Sequence, residues 1–459
     1  MIGGIVMFTC IRLRNFRSFK DVTFNLQEKK SFKKLALIYG ENGMGKSNLA
    51  LGFSILNDLI NTMKIKDILD SVLASDSFKQ LSELTGNKAF TLSQLPIRMT
   101  TIEQIIDNYH MVDSDDPIIL EYNFIINGKK GYYLIEIDNQ EIVHEKMEFV
   151  LEKNKGIYFD LTPNRKKINA KIFNNNSEII LNINQLVNRF WGKHSLLSII
   201  LHEKQSVSNK YIKTGISKNF NILINAFRSI STLTKLSNVQ TANVCSRLEL
   251  LPNLLKGTIS KNKLYILDNL EKILSKLFHS INSDNRRLYY KKEEENTDIK
   301  YELFIKKFIA GKERSLNFKK ESRGNHQIIN ILPFLLNTIC GGTVIVDEID
   351  TGIHDLLFKK FIEELLPHIN GQLIITTHNT TLLEMNELRD NVYFILEDDN
   401  ANKFIKCINE YEDRTYQQNN IRNKYINNAY GGTPQIAEIG FYDLVQKLIP
   451  NRILCNEKH

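Results

Sequence analysis

The chain has 459 residues, which is enough for two or three domains and a large core. Its 42% apolar and 24% charged residues match an average globular protein and exclude wholesale disorder. We find no apolar run of membrane-spanning length, and the first residues lack the basic segment of a signal peptide, so we expect no membrane association. The five cysteines are scattered and form no C-x-x-C pair, which indicates neither a disulfide framework nor a zinc site and favours a reducing cytoplasm.

The net charge of +8 has two interpretations. It fits a nucleic-acid surface, and it also fits a Lys-rich chain that is mildly basic on average. The stretch from Arg286 to Lys320 is locally more basic and contains interleaved aromatic residues. Because the alternation of this stretch also indicates a half-buried strand, the pattern leaves DNA binding open.

The N-terminal part of the chain alternates between strand and helix signals. Phe8 to Leu26 alternates apolar and polar residues about a turn at Asn15 to Ser18, which predicts two short strands. Leu35 to Tyr39 is an apolar run of strand length, and Asn48 to Met63 has apolar residues at helical spacing. A strand, a loop and a helix are therefore expected in succession.

The loop between that strand and helix has the pattern G-x-x-x-x-G-K-[ST] of a phosphate-binding loop. Gly40, Gly43 and Gly45 allow successive backbone N–H groups to point at phosphates, and the helix N-terminus favours anions. Lys46 is expected to reach the β- and γ-phosphates of ATP, and the Ser47 hydroxyl is expected to bind Mg²⁺. The loop residues expected to bind the nucleotide are Gly40, Glu41, Asn42, Gly43, Met44, Gly45, Lys46, Ser47 and Asn48.

The middle of the chain changes from polar to sheet-forming and then to helical. Residues 64–116 are polar and mostly helical in pattern. The next predicted elements are four strands of an antiparallel sheet at 118–126, 131–138, 142–152 and 156–161, a loop or hairpin at 162–180, and helices at 183–206, 219–236 and 264–281. The sequence has no internal repeat and no sustained heptads, so we do not expect a long coiled-coil arm.

Two apolar strands towards the C-terminus each end in polar residues. Thr343 to Asp350 ends in carboxylates, and Gln372 to His378 ends in a histidine. A helical segment separates them, so a right-handed β-α-β connection places both strand ends at one edge of a parallel sheet. Asp347 is then expected to hold Mg²⁺, and Glu348 is expected to orient and deprotonate the attacking water. His378 can hydrogen-bond the γ-phosphate or that water.

A third polar motif precedes this pair of strands. Ser322 to Asn325 lies immediately before an apolar helical segment at 328–339. Ser322 fits a helix N-cap and also fits an anion-binding loop, and the pattern alone leaves both interpretations open.

In this order, the motifs resemble the ATP-binding-cassette (ABC) class of ATPases, in particular the heads of the SMC, Rad50 and RecF proteins. The resemblance assigns each motif to a family position. The corresponding segments are Ile11 to Asp21 for the N-terminal strand pair, residues 40–47 for Walker A, Ser322 and Gly324 for the signature motif, Val344 to Glu348 for Walker B, Thr351 to Asp355 for the D-loop and His378 for the switch histidine.

The sequence is still more similar to a bacterial subfamily named AAA-15 or AAA-21. The similarity rests on Glu-Ser-x-Gly before the helix, Asp-Glu-Ile-Asp-x-Gly-Ile-His, Thr-Thr-His-Asn and the motif from Tyr425 to Pro434. Members of this subfamily are frequently ATPase components of anti-phage defence systems of the AbiL, PARIS or Septu type. The signature is not the LSGGQ of transporters, and Asp355 stands where the subfamily commonly has proline. Arg17 and Ser18 match positions near the nucleotide in Rad50-like heads.

The resemblance also implies a mechanism. ATP and Mg²⁺ would bind at Lys46, Ser47 and Asp347 of one head. Ser322 and Gly324 of a second head would complete the same site, so the heads would close into a homodimer or a higher homo-oligomer. Hydrolysis would release the heads, and this switch would control a separately encoded effector protein, a nuclease or a toxin. The implied catalytic residues are Lys46, Glu348 and His378.

The fold class implied by the resemblance is α/β, an ABC-ATPase head with a mixed central sheet, an antiparallel β subdomain and an inserted helical lobe. The expected boundaries are 1–64 for the N-terminal part of the head, 65–180 for an insertion and the antiparallel subdomain, 181–300 for the helical lobe and 301–459 for the C-terminal part of the head.

Three other functions compete with the defence ATPase. A RecF-like or SMC-like DNA repair or maintenance ATPase would bind DNA with strong salt dependence. A nuclease of the overcoming-lysogenisation type needs a TOPRIM domain of roughly a hundred residues, whereas 81 residues follow His378, so we interpret the acidic residues at 398–399 and 410–413 as a solvated surface. A transporter ATPase conflicts with the signature motif and with the N-terminal strands.

Overall fold

The computed structural model describes residues 4–28, 31–75, 100–205, 215–236, 239–244, 251, 253–282, 284–295, 297–411 and 421–433. In this part of the chain there are eighteen strands and nine α-helices, with short 3-10 helices between them. The strands are β1 Val6–Phe16, β2 Phe19–Asn25, β3 Leu35–Tyr39, β4 Ile118–Ile126, β5 Lys129–Ile137, β6 Ile142–Val150, β7 Lys155–Thr162, β8 Arg165–Ile168, β9 Ser231–Leu236, β10 Val239–Asn243, β11 Lys256–Ser260, β12 Asn285–Glu295, β13 Asp298–Ile309, β14 Lys312–Asn317, β15 Thr343–Val346, β16 Gln372–Thr376, β17 Val392–Glu397 and β18 Lys403–Cys407. The helices are α1 Lys46–Ala74, α2 Ile102–Tyr109, α3 Ser177–Phe190, α4 Leu196–Gln205, α5 Lys218–Arg228, α6 Leu264–Ile281, α7 Arg323–Ile339, α8 Asp355–Leu365 and α9 Ile421–Ile426.

The central sheet is mixed, as the sequence predicts. Its order is β10-β9-β15-β16-β3-β17-β18, with parallel pairing from β9 to β17 and antiparallel pairing at both edges. β3, β15 and β16 are buried at every residue, which explains why their sequences are continuous apolar runs without alternation. β16 lies between β15 and β3, so the ends of these three strands are neighbours.

A second sheet of seven strands is antiparallel throughout, in the order β2-β1-β4-β5-β6-β7-β8. The predicted N-terminal strand pair, β1 and β2, is therefore part of the same sheet as the predicted strands β4 to β7. The register between neighbouring strands is set by buried residues that alternate along each strand, as in β4. The polar segment at 162–180, predicted to be a loop or hairpin, contains the turn and second strand of the β7–β8 hairpin, a 3-10 helix at 170–173 and the start of α3.

Helix α1 lies between the two sheets. Phe53 of α1 packs edge-on against Phe8 of β1, with ring centroids 5.1 Å apart, and Tyr122 of β4 donates a hydrogen bond to the Gly52 carbonyl at 2.6 Å. Towards the central sheet, Asn57 Nδ2 donates to the Ile230 carbonyl, just before β9, at 3.4 Å. Every residue from Leu49 to Ile60 is buried, so this part of α1 lies in the core and contacts both sheets.

A third sheet contains β11, β12, β13 and β14, and α6 packs against it. The prediction of an amphipathic helix at 264–281 is confirmed. Its buried face includes Leu267, Leu270 and Leu274, and Ser275 Oγ donates to the Leu288 carbonyl of β12 at 3.0 Å.

The prediction of a helix over 219–236 is wrong in its second half. Helix α5 ends at Arg228, and Ser231–Leu236 form β9, which pairs with β15. Thr232 and Thr234 are almost fully buried in this strand. A short apolar run rich in β-branched residues does not distinguish a buried strand from a helix by periodicity, so the pairing with β15 decides its structure.

The single helix predicted at 183–206 is two helices, α3 and α4, and residue 206 lies outside the described part. The buried carboxylate of Glu145 in β6 stabilises this break. It accepts hydrogen bonds from Leu196 N at 2.8 Å, from Trp191 Nε1 at 3.0 Å and from Tyr133 Oη at 3.0 Å. The second helix therefore begins where a carboxylate from another element satisfies its first free N–H.

Two other predictions, the helical pattern at 64–116 and the helical lobe at 181–300, agree with the structure only in part. In the helical pattern at 64–116, the structure describes the end of α1 and α2, and residues 76–99 lie outside the described part. Residues 181–300, expected to form a helical lobe, contain most of α3 and all of α4, α5 and α6, but they also contain β9 to β12 and the start of β13. The four-part division of the chain stays a prediction. Within the described residues, no helix is both long enough and apolar enough to cross a bilayer.

Candidate nucleotide site

The predicted phosphate-binding loop connects β3 to α1, as expected. It follows Tyr39 and ends where Lys46 begins α1. Gly45 has a φ of 103°, in the left-handed region that suits glycine, and a Cβ at Gly45 would lie 2.5 Å from the Phe19 ring. This close approach requires glycine, and it places the loop against the turn between β1 and β2.

Lys46 occupies the inside of the loop. Its Nζ donates to the carbonyl oxygen of Gly40 at 2.7 Å and to that of Glu41 at 3.0 Å, and the residue is only 6% exposed. Burial lowers the pKa of Lys46, and the nearby carboxylates of Asp347 and Glu348 oppose this shift. The ammonium group therefore lies close to the predicted carboxylate pair, although some 300 residues separate them in the chain.

Asp347 follows β15 directly, and its two carboxylate oxygens differ in their contacts. Its Oδ1 accepts a hydrogen bond from Thr376 Oγ1 at 2.6 Å, whereas its Oδ2 is buried and has no hydrogen-bond partner within the described part of the chain. Burial raises the pKa of Asp347, and the hydroxyls of Thr376 and Ser47 oppose this rise. A buried, unpaired carboxylate oxygen near a serine hydroxyl is a donor set that suits Mg²⁺, so these residues fit the expected cation.

Glu348 has a strained backbone that the neighbouring strand holds in place. Its φ is 48°, which is uncommon for a residue with a side chain. The N–H of Glu348 donates to Thr376 Oγ1 at 2.8 Å, and the N–H of Ile349 donates to the Thr376 carbonyl at 3.3 Å. The Thr376 hydroxyl therefore contacts both predicted carboxylate residues, Asp347 at the side chain and Glu348 at the backbone N–H.

His378 lies at the same edge of the sheet, two residues beyond β16. Its backbone N–H donates to Asp350 Oδ2 at 3.3 Å, and its side chain is exposed. Partial desolvation of the ring and the positive charge of Lys46 lower the pKa of His378, and the carboxylates of Asp350, Glu348 and Asp347 oppose this shift. The lowered pKa favours a neutral imidazole near pH 7, which can donate or accept a hydrogen bond.

Arg17 and Ser18 form the turn between β1 and β2, beside the start of α1. Ser18 Oγ accepts a hydrogen bond from Asn48 Nδ2 at 2.8 Å. Arg17 has a φ of 52° and donates through Nη1 to the Asn108 carbonyl at 3.2 Å. Ser18 therefore contacts a residue of the predicted nucleotide loop, whereas the guanidinium of Arg17 is directed to the end of α2.

Ser322 and Gly324 lie on a different surface of the same chain. Ser322 is the N-cap of α7, where its Oγ accepts from Asn325 N at 3.3 Å, and it is exposed. A Cβ on Gly324 would lie 2.6 Å from the Gly352 carbonyl, so α7 begins against the loop that follows Asp350. In the described contacts, the structure brings these two residues to this loop and not to Lys46.

Several residues at the site were not predicted from the sequence. Thr376 and Asp350 contact the predicted catalytic residues, as described above. Burial raises the pKa of Asp350, and a hydrogen bond from Thr377 opposes this rise. Lys403 of β18 donates to the Gly43 carbonyl of the loop at 2.7 Å. The polar residues at the end of the strand at 372–378 were a usable signal, but Lys403 lies in a hairpin without any motif.

The basic stretch from Arg286 to Lys320 is rich in ion pairs. Lys307 binds Glu321 at 2.7 Å, and Lys319 binds Glu302 at 2.6 Å. Among the described residues, six further ion pairs involve cations of this stretch: Arg287–Glu271, Lys291–Glu293, Lys292–Asp268, Lys292–Glu271, Lys300–Glu295 and Lys306–Glu313. Much of the positive charge is therefore balanced within the third sheet and α6.

The parallel sheet, the loop at residues 40–47 and the carboxylate pair at its edge have the arrangement of a phosphate-binding-loop nucleotide domain. The chain belongs to the AAA-21 family, described as "AAA domain, putative AbiEii toxin, Type IV TA system", whose family model matches residues 35–384. A second model, AAA-23, described as "AAA domain", matches residues 10–54. None of the curated proteins compared with the chain matches it.

Solved structures of several ATPase heads are similar to this chain. The SMC head domain from Thermotoga maritima is 12% identical, with a TM-score of 0.33, over 87% of this chain and 98% of that one. The Smc head of Pyrococcus furiosus, bound to the C-terminal domain of ScpA, is 12% identical, with a TM-score of 0.40, over 88% and 96%. The recombination mediator protein RecF-ATPrS is 12% identical, with a TM-score of 0.36, over 88% and 99%.

Proposed function

We propose that this protein binds and hydrolyses ATP with Mg²⁺, and that ATP switches it between open and closed assemblies of its heads. The observation that carries the proposal is the convergence of Lys46 with Asp347, whose buried Oδ2 has no hydrogen-bond partner among the described residues. The buried ammonium group beyond β3 and the carboxylate oxygen after β15 lie at one edge of the parallel sheet, and together they form a site that suits a bound anion and a bound cation.

Each residue has a proposed role in binding. The backbone N–H groups of residues 40–47 and the Lys46 ammonium would hold the phosphates, and Ser47 and Asp347 would hold Mg²⁺. Lys46 would exchange its carbonyl partners for phosphate oxygens. Ser18, bonded to Asn48, would border the same site at the β1–β2 turn. The bound cation supplies charge neutralisation at the phosphates.

The proposed catalytic step depends on side chains from two strand ends. Glu348 would accept the proton of the attacking water, because its carboxylate lies beside Asp347 and is only partly buried. His378, neutral near pH 7, would hydrogen-bond the γ-phosphate or the water. Lys46 would stabilise the negative charge that develops on the phosphate oxygens.

Completion of the site is proposed to require a second copy of the chain. Ser322 is exposed at the N-terminus of α7 and is separate from the phosphate loop of its own head. In the arrangement implied by the ABC resemblance, Ser322 and Gly324 of a partner head contact the γ-phosphate. ATP would then join two heads, and hydrolysis would release them.

The output of the switch is proposed to be an anti-phage defence response through a separately encoded nuclease or toxin. The description of the AAA-21 family as a toxin of a Type IV toxin–antitoxin system supports this context. The alternative is a DNA repair or maintenance ATPase. The ion pairs of the basic stretch reduce its free positive charge, so the stretch does not favour this alternative.

The proposal is tested by removing the central cation. The variant Lys46→Ala should lose ATP binding by at least about tenfold, because the phosphates lose their buried ammonium partner. Binding is measured with a fluorescent ATP analogue in the presence of Mg²⁺. Lys34→Ala is the matched control, since Lys34 lies next to the other end of β3, where its side chain donates to the Ile369 carbonyl. Equal affinity in Lys46→Ala and wild type would refute the nucleotide site.

Co-purification and DNA-binding measurements distinguish the defence switch from the repair ATPase. A defence switch should co-purify with the product of a neighbouring gene and should show weak binding to duplex DNA. A repair ATPase should bind DNA with an affinity that falls steeply as salt is raised.

A further inference from the structure

Asn379, the residue after His378, makes an unusually complete set of contacts at the edge of the nucleotide site. It is 2% exposed. Its backbone N–H donates to Thr377 Oγ1 at 3.0 Å, and its carbonyl accepts from Tyr39 Oη at 2.9 Å. Its Oδ1 accepts from Thr381, through the backbone N–H at 2.9 Å and through the hydroxyl at 2.6 Å. Its Nδ2 donates to the Asp355 carbonyl at 3.0 Å.

These contacts join three segments that the proposed function uses. Tyr39 is the last residue of β3, immediately before the phosphate-binding loop. Asp355 is the first residue of α8 and ends the D-loop segment that begins after Asp350. His378 is the chain neighbour of Asn379. One buried residue, the chain neighbour of the histidine, therefore contacts both the strand that leads into the phosphate loop and the end of the D-loop.

The bond to Asp355 is the last of a row of contacts between two loops. Thr376, the last residue of β16, accepts hydrogen bonds from Glu348 N and Ile349 N in the loop after β15. His378, in the loop after β16, donates its backbone N–H to Asp350 Oδ2. The Asn379 Nδ2 bond closes the same row at the far end of the loop. Without it, the far end of the segment 351–355 would lose its hydrogen bond to the loop after β16.

We propose that Asn379 is a positioning residue that clamps the D-loop to His378 and thereby fixes the geometry of Glu348 and His378 for hydrolysis. This inference rests on the proposed ATPase function. The Oδ1 contacts with Thr381 fulfil a local role, capping the 3-10 helix at 380–384. The hydrogen bond from Asn379 Nδ2 to the Asp355 carbonyl has no part in that cap, and this bond holds the D-loop.

The variant Asn379→Ser separates the two roles. Serine is a good N-cap residue, so the cap is kept, but its side chain is too short to reach the Asp355 carbonyl. We expect kcat for ATP hydrolysis to fall by roughly tenfold to a hundredfold, because small errors in the alignment of the base and the phosphate are costly. The KM for ATP and the melting temperature should stay close to those of wild type, since no phosphate ligand is changed.

A second variant and an activity-independent measurement complete the test. Asn379→Asp also keeps a cap, and it places a carboxylate oxygen against the Asp355 carbonyl, so it should lower kcat at least as much. In both variants, backbone amides of residues 349–355 should exchange with deuterium faster than in wild type, because the loop opens more often. This exchange is measured on the full-length protein without nucleotide.

Asn370→Ser is the matched control. Asn370 precedes β16 at the opposite end of the strand, where its Nδ2 donates to the Ile339 carbonyl at the same distance of 3.0 Å. The control should leave kcat and the exchange of residues 349–355 unchanged. If Asn379→Ser hydrolyses ATP at the wild-type rate, or if it loses stability and activity together, the clamp is refuted. If wild type itself does not hydrolyse ATP, the proposed function fails instead.

Discussion

At the scale of single residues, Thr376 shows how a side chain without a catalytic group can organise a site. Its Oγ1 donates to Asp347 and accepts from Glu348 N, so one hydroxyl holds both carboxylate residues. The left-handed φ of Glu348 depends on such support, since a residue with a side chain is disfavoured there. The sequence identifies the two acids by their place after an apolar strand, whereas the role of the threonine becomes visible only through its contacts with a neighbouring strand end.

Replacement of Thr376 by valine should therefore impair hydrolysis. Valine has nearly the same shape and keeps the strand, but it leaves Asp347 without its hydroxyl donor and Glu348 N without an acceptor. We expect kcat to fall by roughly tenfold or more, because the base and the cation ligand are no longer held in place. Steady-state phosphate release measures the change.

Thr343→Val provides the comparison for this variant. Thr343 is also buried, at the start of β15, and its hydroxyl donates to the Val6 carbonyl away from the site. This variant should lose some stability but keep its rate of hydrolysis. A similar loss of rate in both variants would show that general stability, not the position of Thr376, sets the rate.

At the scale of elements, buried polar groups join helices to sheets. Glu145 of β6 accepts hydrogen bonds from Tyr133 of β5, from Trp191 and from the first residue of α4. Burial raises the pKa of Glu145 from its ordinary value of 4.5 to about 7, and the hydrogen bonds that it accepts oppose this rise. The junction between the antiparallel sheet and α4 is therefore sensitive to pH.

The direction of this effect follows from proton linkage. Because the folded pKa is raised, the folded protein keeps a proton that the unfolded chain has lost, so this contribution is complete below about pH 4.5 and is lost as pH rises through about 7. Glu145→Gln should remove this loss. In melting curves recorded from pH 5 to pH 8, the stability of wild type should decrease relative to that of Glu145→Gln.

Glu148→Gln, on the same strand, is the control for the pH series. The side chain of Lys146 lowers the pKa of Glu148, together with that of Lys155 and against the desolvation that raises it, so Glu148 stays ionised across this range. This variant should follow the pH dependence of wild type. Parallel curves for wild type and Glu145→Gln would contradict the raised pKa.

The elements also show where sequence patterns succeed and where they do not. Helix α6 has a clear 3.6-residue period because one face packs on β12, and its predicted bounds agree with the structure. Residues 231–234 are all buried, and β9 pairs with β10 on one edge and with β15 on the other, so this run has no strand alternation and its pattern predicts the end of a helix. The site residues of β15 and β16 could be predicted because the charged residues stand out against buried strands. Residues such as Asn379 and Lys403 could not, because their roles depend on contacts between distant segments.

At the scale of the whole molecule, the proposed site needs two copies of the chain. Glu348→Gln should bind ATP normally but hydrolyse it much more slowly, since only the base is lost. The variant should therefore accumulate the closed assembly. Size-exclusion chromatography with light scattering, with and without ATP and Mg²⁺, measures the change in mass. A mass that does not respond to ATP would argue against closure of the heads.

The surface that closes the assembly is tested by Ser322→Arg. The arginine would project from the exposed N-terminus of α7 into the proposed interface, where ATP of the partner head is expected. We expect this variant to bind ATP with wild-type affinity and to hydrolyse it poorly. Combined with Glu348→Gln, it should prevent the ATP-dependent increase in mass. Loss of ATP binding in Ser322→Arg would instead place Ser322 in the site of its own head.

The position of β3 within the central sheet also affects how the chain can be made. β3 pairs with β16 on one side and with β17 on the other, and both of these strands are synthesised more than 300 residues later. During translation, the phosphate-binding loop has no flanking strands until almost the whole chain has left the ribosome. A nascent or truncated chain would therefore expose an apolar, unpaired segment and could not retain ATP, so ligand binding would report that synthesis and folding are complete.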